Sequence, residues 1–189
     1  YISWATASDS VQKVVDICVN GDTIMIGVGI YTELIRSERD NFFLTFIGTD
    51  IDSCILDLSI YSPNTECIAI SVRHNISLEN LNFTTTTNNT NRHKALDLFF
   101  SPYPQTINIK NCRFSNLSSC IVAFKTSGEI KENYFYNVGR AVLNTDRPSG
   151  ENLVIFDNTI IKSKNEAIVC LYGTIRNNWI IMSQGSGIA

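Results

Sequence analysis

The sequence predicts a right-handed parallel β-helix, an all-β solenoid of about seven coils wound by a single chain, with a short capping α-helix at its start. Three observations carry this expectation. First, five segments repeat one pattern: ISLENLNF (76–83), INIKNCRF (107–114), EIKENYF (129–135), LVIFDNTI (153–160) and GTIRNNWI (173–180). Each holds an aliphatic residue (Leu78, Ile109, Ile130, Ile155, Ile175), and a polar one follows two positions later (Asn80, Asn111, Glu132, Asp157, Asn177). A large apolar residue (Phe83, Phe114, Phe135, Ile160, Ile180) comes three positions after that. The aliphatic residues are spaced by 31, 21, 25 and 20 residues, a period that marks a solenoid. Second, short β-branched segments run in phase with these: CIAIS (67–71), ALDLF (95–99), CIVAF (120–124), AVLN (141–144), AIVC (167–170) and GIA (187–189). They alternate as strands do, so each coil holds at least two short strands broken by Asn, Ser and Gly turns. Third, no stretch of the repeat region keeps a helical apolar period long enough to compete.

Taken in chain order, a helix over residues 8–20 comes first. Val11, Val14, Val15 and Cys18 fall on one helical face, Asp9 with Gln12 makes a capping box, and Asn20-Gly21 supplies the stop. The helix would cover the exposed sheet edge at one end of the solenoid. Coils follow over residues 22–189, and residues 1–189 form one elongated domain. Asn133, Asn158 and Asn178 occupy one position on three successive coils, so they should stack about 4.8 Å apart as an internal ladder. Leu81 and Cys112 continue that column as apolar members. Buried amides in such a column are tolerated because each satisfies the next, so the three asparagines read as structural.

Ser10 to Gln12, Gly21-Asp22-Thr23-Ile24, the Gly29-x-Tyr31-x-Glu33 string and Gly48 resemble the opening segment of the pectin-lyase-like right-handed β-helix superfamily. With the repeats, the resemblance covers nearly the whole chain. It implies the fold and a setting at the cell surface or outside the cell. The superfamily spans pectate lyases, methylesterases, polygalacturonases, tailspikes and adhesins, so fold does not select an activity.

Composition narrows the partners. Fifteen Lys and Arg against eighteen Asp and Glu leave a formal charge of −3, which gives no reason to expect nucleic acid or an anionic membrane. No apolar run reaches transmembrane length. The chain opens on Tyr1 and closes on GSGIA, which reads as a coil just begun. That predicts a piece of something longer, or a protein neighbour or further chain covering an uncapped C-terminal end. The six cysteines form no CxxC pair, so neither a metal nor any cofactor is expected. Cys112 reads as a buried thiol, and Cys67 and Cys120 as sharing a strand position two coils apart, too far to bridge. The Asn-x-Ser/Thr triplets at Asn75, Asn82, Asn88 and Asn116 are as many as chance supplies in so Asn-, Ser- and Thr-rich a chain.

Catalytic candidates are few. Asn144-Thr145-Asp146 is similar to the start of the polygalacturonase Asn-Thr-Asp-Gly motif, but it follows its strand where the family's precedes it. The in-phase positions hold Arg140, Asn165-Glu166 and Gly185-Ser186-Gly187, which cannot supply two carboxyls around a water. Arg140 and Glu166 should be neighbours on adjacent coils, with Lys94 at a similar place two coils earlier. A uronate lyase needs a base and a cation against the substrate carboxylate, and these three are the residues that could serve. An ion pair on a ladder is the commoner meaning of such a pattern. His74 and His93 lie in different coils, beside turns, and read as surface residues.

Binding candidates are clearer. Tyr134 and Trp179 should point outward in one column with Asn82, Arg113 and Thr159, about 10 Å apart. Exposed flat rings with polar neighbours such as Arg113 suit saccharide stacking, and a protein contact is the other use of such a surface. Phe156 reads as outward and exposed. Residues 84–92, 99–106 and 145–152 form the long loops. The sequence therefore points to a non-catalytic surface module, structural or adhesive, with polysaccharide as candidate ligand. The rivals are a polysaccharide lyase or hydrolase and a segment of a trimeric fibre or tailspike.

Overall fold

In the computed structural model, residues 7–86, 92–98, 103–145 and 152–189 are described. The long-loop expectations therefore lie largely outside the described residues, as do Asn88 and Asp146.

Among the described residues the fold has one helix and twenty strands. The helix α1 (Val11–Ile17) is followed by β1 (Thr23–Ile26), β2 (Gly29–Tyr31) and β3 (Ile35–Ser37) in the first coil. The second coil holds β4 (Phe43–Gly48), β5 (Cys54–Asp57) and β6 (Ile68–Val72), the third β7 (Asn75–Glu79), β8 (Asn82–Thr84) and β9 (Lys94–Asp97). Then come β10 (Gln105–Lys110), β11 (Arg113–Ser115) and β12 (Ser119–Ala123), and β13 (Thr126–Lys131), β14 (Tyr134–Val138) and β15 (Arg140–Asn144). The sixth coil has β16 (Leu153–Phe156), β17 (Thr159–Ser163) and β18 (Ile168–Cys170), and the seventh β19 (Gly173–Arg176) and β20 (Trp179–Ile181). Every third strand joins the same sheet: two sheets of seven strands and one of six, and all strand pairs are parallel. The molecule is a parallel β-helix. Each of the first six coils has three strands, one more than the minimum read from the sequence, and the seventh has two.

The helix is shorter than the span 8–20, and its cap differs from the Asp9–Gln12 box. Ser10 is the N-cap, its Oγ accepting from the Lys13 N–H at 3.2 Å. Glu33 reaches in from the β2–β3 connection and accepts from Ser10 Oγ, Val11 N and Gln12 N, so a carboxylate sits where the orphan N–H groups are. Gln12 donates to the Arg36 carbonyl and accepts from the Arg36 N–H, covering the edge of β3. At the other end the Arg39 guanidinium donates to the carbonyls of Val15 and Cys18. The helix thus serves as the edge cover that the sequence predicts.

The core is a set of columns. Phe83, Phe114 and Phe135 stack face to face, with centroids 5.1 and 4.8 Å apart, and Ile160 and Ile180 extend the column. The asparagine ladder is present as predicted. Asn133 Nδ2 donates to Asn158 Oδ1 at 3.0 Å and Asn158 Nδ2 to Asn178 Oδ1 at 2.9 Å. The amides also donate to the carbonyls of Ile109, Ile130 and Ile155. Cys112 is less inert than an apolar member, since its thiol donates to the Lys110 carbonyl at 3.3 Å. By register the column reaches back through Leu81 and Cys54 to Gly29.

The residue before each ladder position turns the corner between sheets. Asn80, Asn111, Glu132, Asp157 and Asn177 all have φ between 48° and 58°. Asparagine and aspartate tolerate this left-handed region best among side-chain-bearing residues, which explains the polar position of the repeat. Gly128 adopts φ of 107°, and a Cβ there would lie 2.0 Å from the Ile107 carbonyl oxygen, so two coils touch at a point only glycine permits.

Three further expectations are corrected. His74 and His93 are buried, at 2% and 0% exposure, because both sit on inward positions of their coils. Phe156 does face outward, but Arg176 and Lys131 lie over its ring at 4.2 and 5.5 Å and leave it nearly covered. Cys120 aligns with Ala95, and Cys67 with His93, so the two cysteines do not share a position.

Candidate functional site

The outer face of the sheet containing β2 and β20 carries the aromatic candidates. Its register places Asn82, Arg113, Tyr134, Thr159 and Trp179 on one line, as the repeat predicts. Strand alternation turns these side chains outward, while their neighbours Phe83, Phe114, Phe135 and Ile160 are buried. Tyr134 is 40% and Trp179 68% exposed. Two coils separate them, about 9.6 Å along the axis, and the small Thr159 lies between, so nothing in the column rises between the rings.

Arg113, at the other flank, pairs with Asp52. A second line runs beside the first: Thr84, Ser115, Tyr136, Ile161 and Ile181. Tyr136 was missed in the sequence reading, although it follows Tyr134 by two residues and must share its face. Lys162 donates to the Tyr136 hydroxyl at 3.0 Å and holds its ammonium 5.1 Å from the ring centre. The face therefore offers three rings, hydroxyl groups and charged side chains at its margins.

The catalytic candidates occupy the third sheet. Lys94, Ser119 and Arg140 are aligned, and Glu166 lies one coil beyond Arg140. Arg140 donates to Glu166 at 2.8 Å, and that hydrogen bond holds the Glu166 carboxyl below its ordinary range. Lys94 donates to Glu66 at 2.8 Å and to Asp97 at 2.9 Å. Burial opposes its charge, but the two hydrogen bonds outweigh burial and raise the Lys94 pKa. The same bond from Lys94 lowers that of Glu66. Each cation is thus committed to a carboxylate, and Lys94 and Arg140 do not converge on a common point. Asn144 is fully buried, donating to the Tyr172 carbonyl at 3.4 Å, so it does not present a surface motif.

The two histidines serve packing. His74 Nδ1 lies 2.8 Å from the Asn75 carbonyl and its ring meets Phe42 edge-on. His93 Nε2 lies 3.1 Å from the Ser62 carbonyl. No group of three metal-ligating side chains converges among the described residues. Among those residues no helix is long and apolar enough to cross a membrane. A concavity of about 600 Å³ lies between α1 and β1 and is lined by Val11, Val14, Ile24 and Ile26 with Asp22 at its margin.

In comparisons with family models, with curated proteins and with solved structures, nothing matches the chain.

Proposed function

We propose that this chain is a non-catalytic β-helical module of an extracellular or cell-surface protein, related to the pectin-lyase-like superfamily, that stacks on carbohydrate through the outer face of β14, β17 and β20. The observation that carries this reading is the Tyr134–Thr159–Trp179 line, two exposed rings in one register with a small residue between them. Flat rings offer the C–H faces of sugars a large apolar contact at low conformational cost. The spacing of about 9.6 Å suits two rings of one glycan chain laid along the solenoid axis. Tyr136, Lys162 and Arg113 add polar edges for hydroxyl or carboxylate groups.

Support for a non-catalytic role comes from the charged candidates. Arg140 and Lys94 are both neutralised by carboxylates of this chain, whereas a lyase needs such a cation open to its substrate.

The test is size-exclusion chromatography of the protein with a panel of neutral and uronic polysaccharides. Co-elution with one polymer at unchanged chain length is expected, with quenching of Trp179 fluorescence. Trp179→Ala and Tyr134→Ala should each weaken binding by about tenfold, since a stacking ring contributes on the order of 1–1.5 kcal/mol. Shortening of any polymer, abolished by Arg140→Ala, would replace this reading with an enzymatic one.

A further inference from the structure

Five coils place a left-handed residue at the corner that leads into the sheet of β14 and β17. Three of these corners are asparagine (Asn80, Asn111, Asn177), and two carry a carboxylate, Glu132 and Asp157. Asparagine meets the backbone requirement well and glutamate meets it poorly, so the fold does not ask for these two charges. They stand on consecutive coils, because the residues that follow them, Asn133 and Asn158, are ladder partners. That sets the two corners about 4.8 Å apart. Both residues are exposed, and among the described residues neither carboxylate has a hydrogen bond or an ion pair. Each comes two residues before an outward member of the aromatic line, Tyr134 or Thr159. Further coils lie on both sides of this pair, so its exposure owes nothing to either end of the chain.

The cations nearby are committed elsewhere. Lys131 donates to Glu129 at 2.9 Å, and Arg176 lies over the Phe156 ring, both on the neighbouring sheet. Arg113 is paired with Asp52. Lys162, at the opposite margin of the face, donates to the Tyr136 hydroxyl. The margin beside Tyr134 and Thr159 is therefore negative.

We infer that Glu132 and Asp157 set the ligand class of the aromatic line: a chain of amino sugars with free amines, in preference to a neutral or uronic chain. The inference rests on the stacking reading above and adds the charge. A sugar seated on Tyr134 or Thr159 turns the substituents of its rim toward the margins of the face. A protonated amine on that rim meets a carboxylate, and it is also attracted by the electron-rich face of an aromatic ring. A uronic chain brings one carboxylate per unit against two charges of the same sign. N-acetylation removes the charge and with it the preference.

The experiment is calorimetric titration of the protein at pH 5.5 with six-unit oligomers of glucosamine, N-acetylglucosamine, glucose and galacturonate. Quenching of Trp179 fluorescence reports stacking. The glucosamine oligomer should bind about tenfold more tightly than its N-acetylated and neutral counterparts at low salt, since two exposed charge pairs of ordinary strength supply about that factor. The preference should vanish in 0.5 M salt. The double variant Glu132→Asn, Asp157→Asn carries the residue already found at Asn111 and Asn177, so its circular dichroism should be unchanged. It should lose the preference while still binding the neutral oligomer as before. Equal binding of the amine and neutral oligomers, or tightest binding of galacturonate, overturns the inference and leaves stacking intact. A preference for the amine that survives in the double variant overturns the roles of Glu132 and Asp157. If no oligomer binds, the stacking reading falls and the inference falls with it.

Discussion

Asn158 is the most informative position to perturb. Its Oδ1 accepts from both the N–H and the Nδ2 of Asn133, each at 3.0 Å, and its Nδ2 donates to the Ile130 and Phe156 carbonyls and to Asn178 Oδ1. Asn158→Ala removes all of these and leaves the Asn133 N–H buried without an acceptor. An orphaned buried donor costs about 1–3 kcal/mol, and the under-satisfied carbonyls and the small cavity add about 1–2 kcal/mol more. The expected loss is about 3–5 kcal/mol, read as a lowered urea midpoint by far-UV circular dichroism. Asn178→Ala, at the half-buried end of the column, should cost about a third as much, and Asn108→Ala, exposed on the sheet surface, under about 0.5 kcal/mol. A loss below about 1 kcal/mol for Asn158→Ala would refute the ladder as a source of stability. Equal losses for Asn158 and Asn178 would refute its dependence on burial.

Three other outcomes follow from the same structure. Burial pushes His74 below its ordinary value of 6.5, against the hydrogen bond to the Asn75 carbonyl, with Arg39 adding to the depression. The unfolded chain therefore binds this proton first, so stability is full above about pH 6.5 and declines as pH falls toward the lower folded value. Melting temperatures between pH 8 and 5 should show that decline, and His74→Leu should flatten it. Glu132→Asn places the residue type found at Asn111 and Asn177 on the same left-handed corner and should stabilise by about 0.5–1 kcal/mol in urea titrations; a destabilised variant would contradict the strain assigned there. Burial raises the Cys112 thiol to about 12 and the Cys120 thiol well above its usual value. Neither should react with iodoacetamide at pH 8 until urea unfolds the chain, and labelling of the folded protein at either site, read by mass spectrometry, would contradict that burial.

The repeat alone determined the coil count, the inward phenylalanine column, the asparagine ladder and the outward line from Asn82 to Trp179. All are periodic: one residue per coil at a constant place, so sequence spacing and spatial order coincide. What only the tertiary structure decided involves contacts that no period encodes. Glu33, Gln12 and Arg39 bind α1 at three points because the chain returns past the helix after one coil. His74 is buried because the strand after the turn begins at Asn75, which sends the preceding ring inward. Phe156 disappears beneath Lys131 and Arg176, which reach it from the coils on either side. The Arg140–Glu166 pair was legible as an adjacency, but whether the guanidinium faced its neighbour or the solvent depended on a side-chain torsion. Periodic burial writes itself into a sequence because each coil must repeat it. A single long side chain crossing between coils is chosen once, by distances that exist only after the coils have stacked.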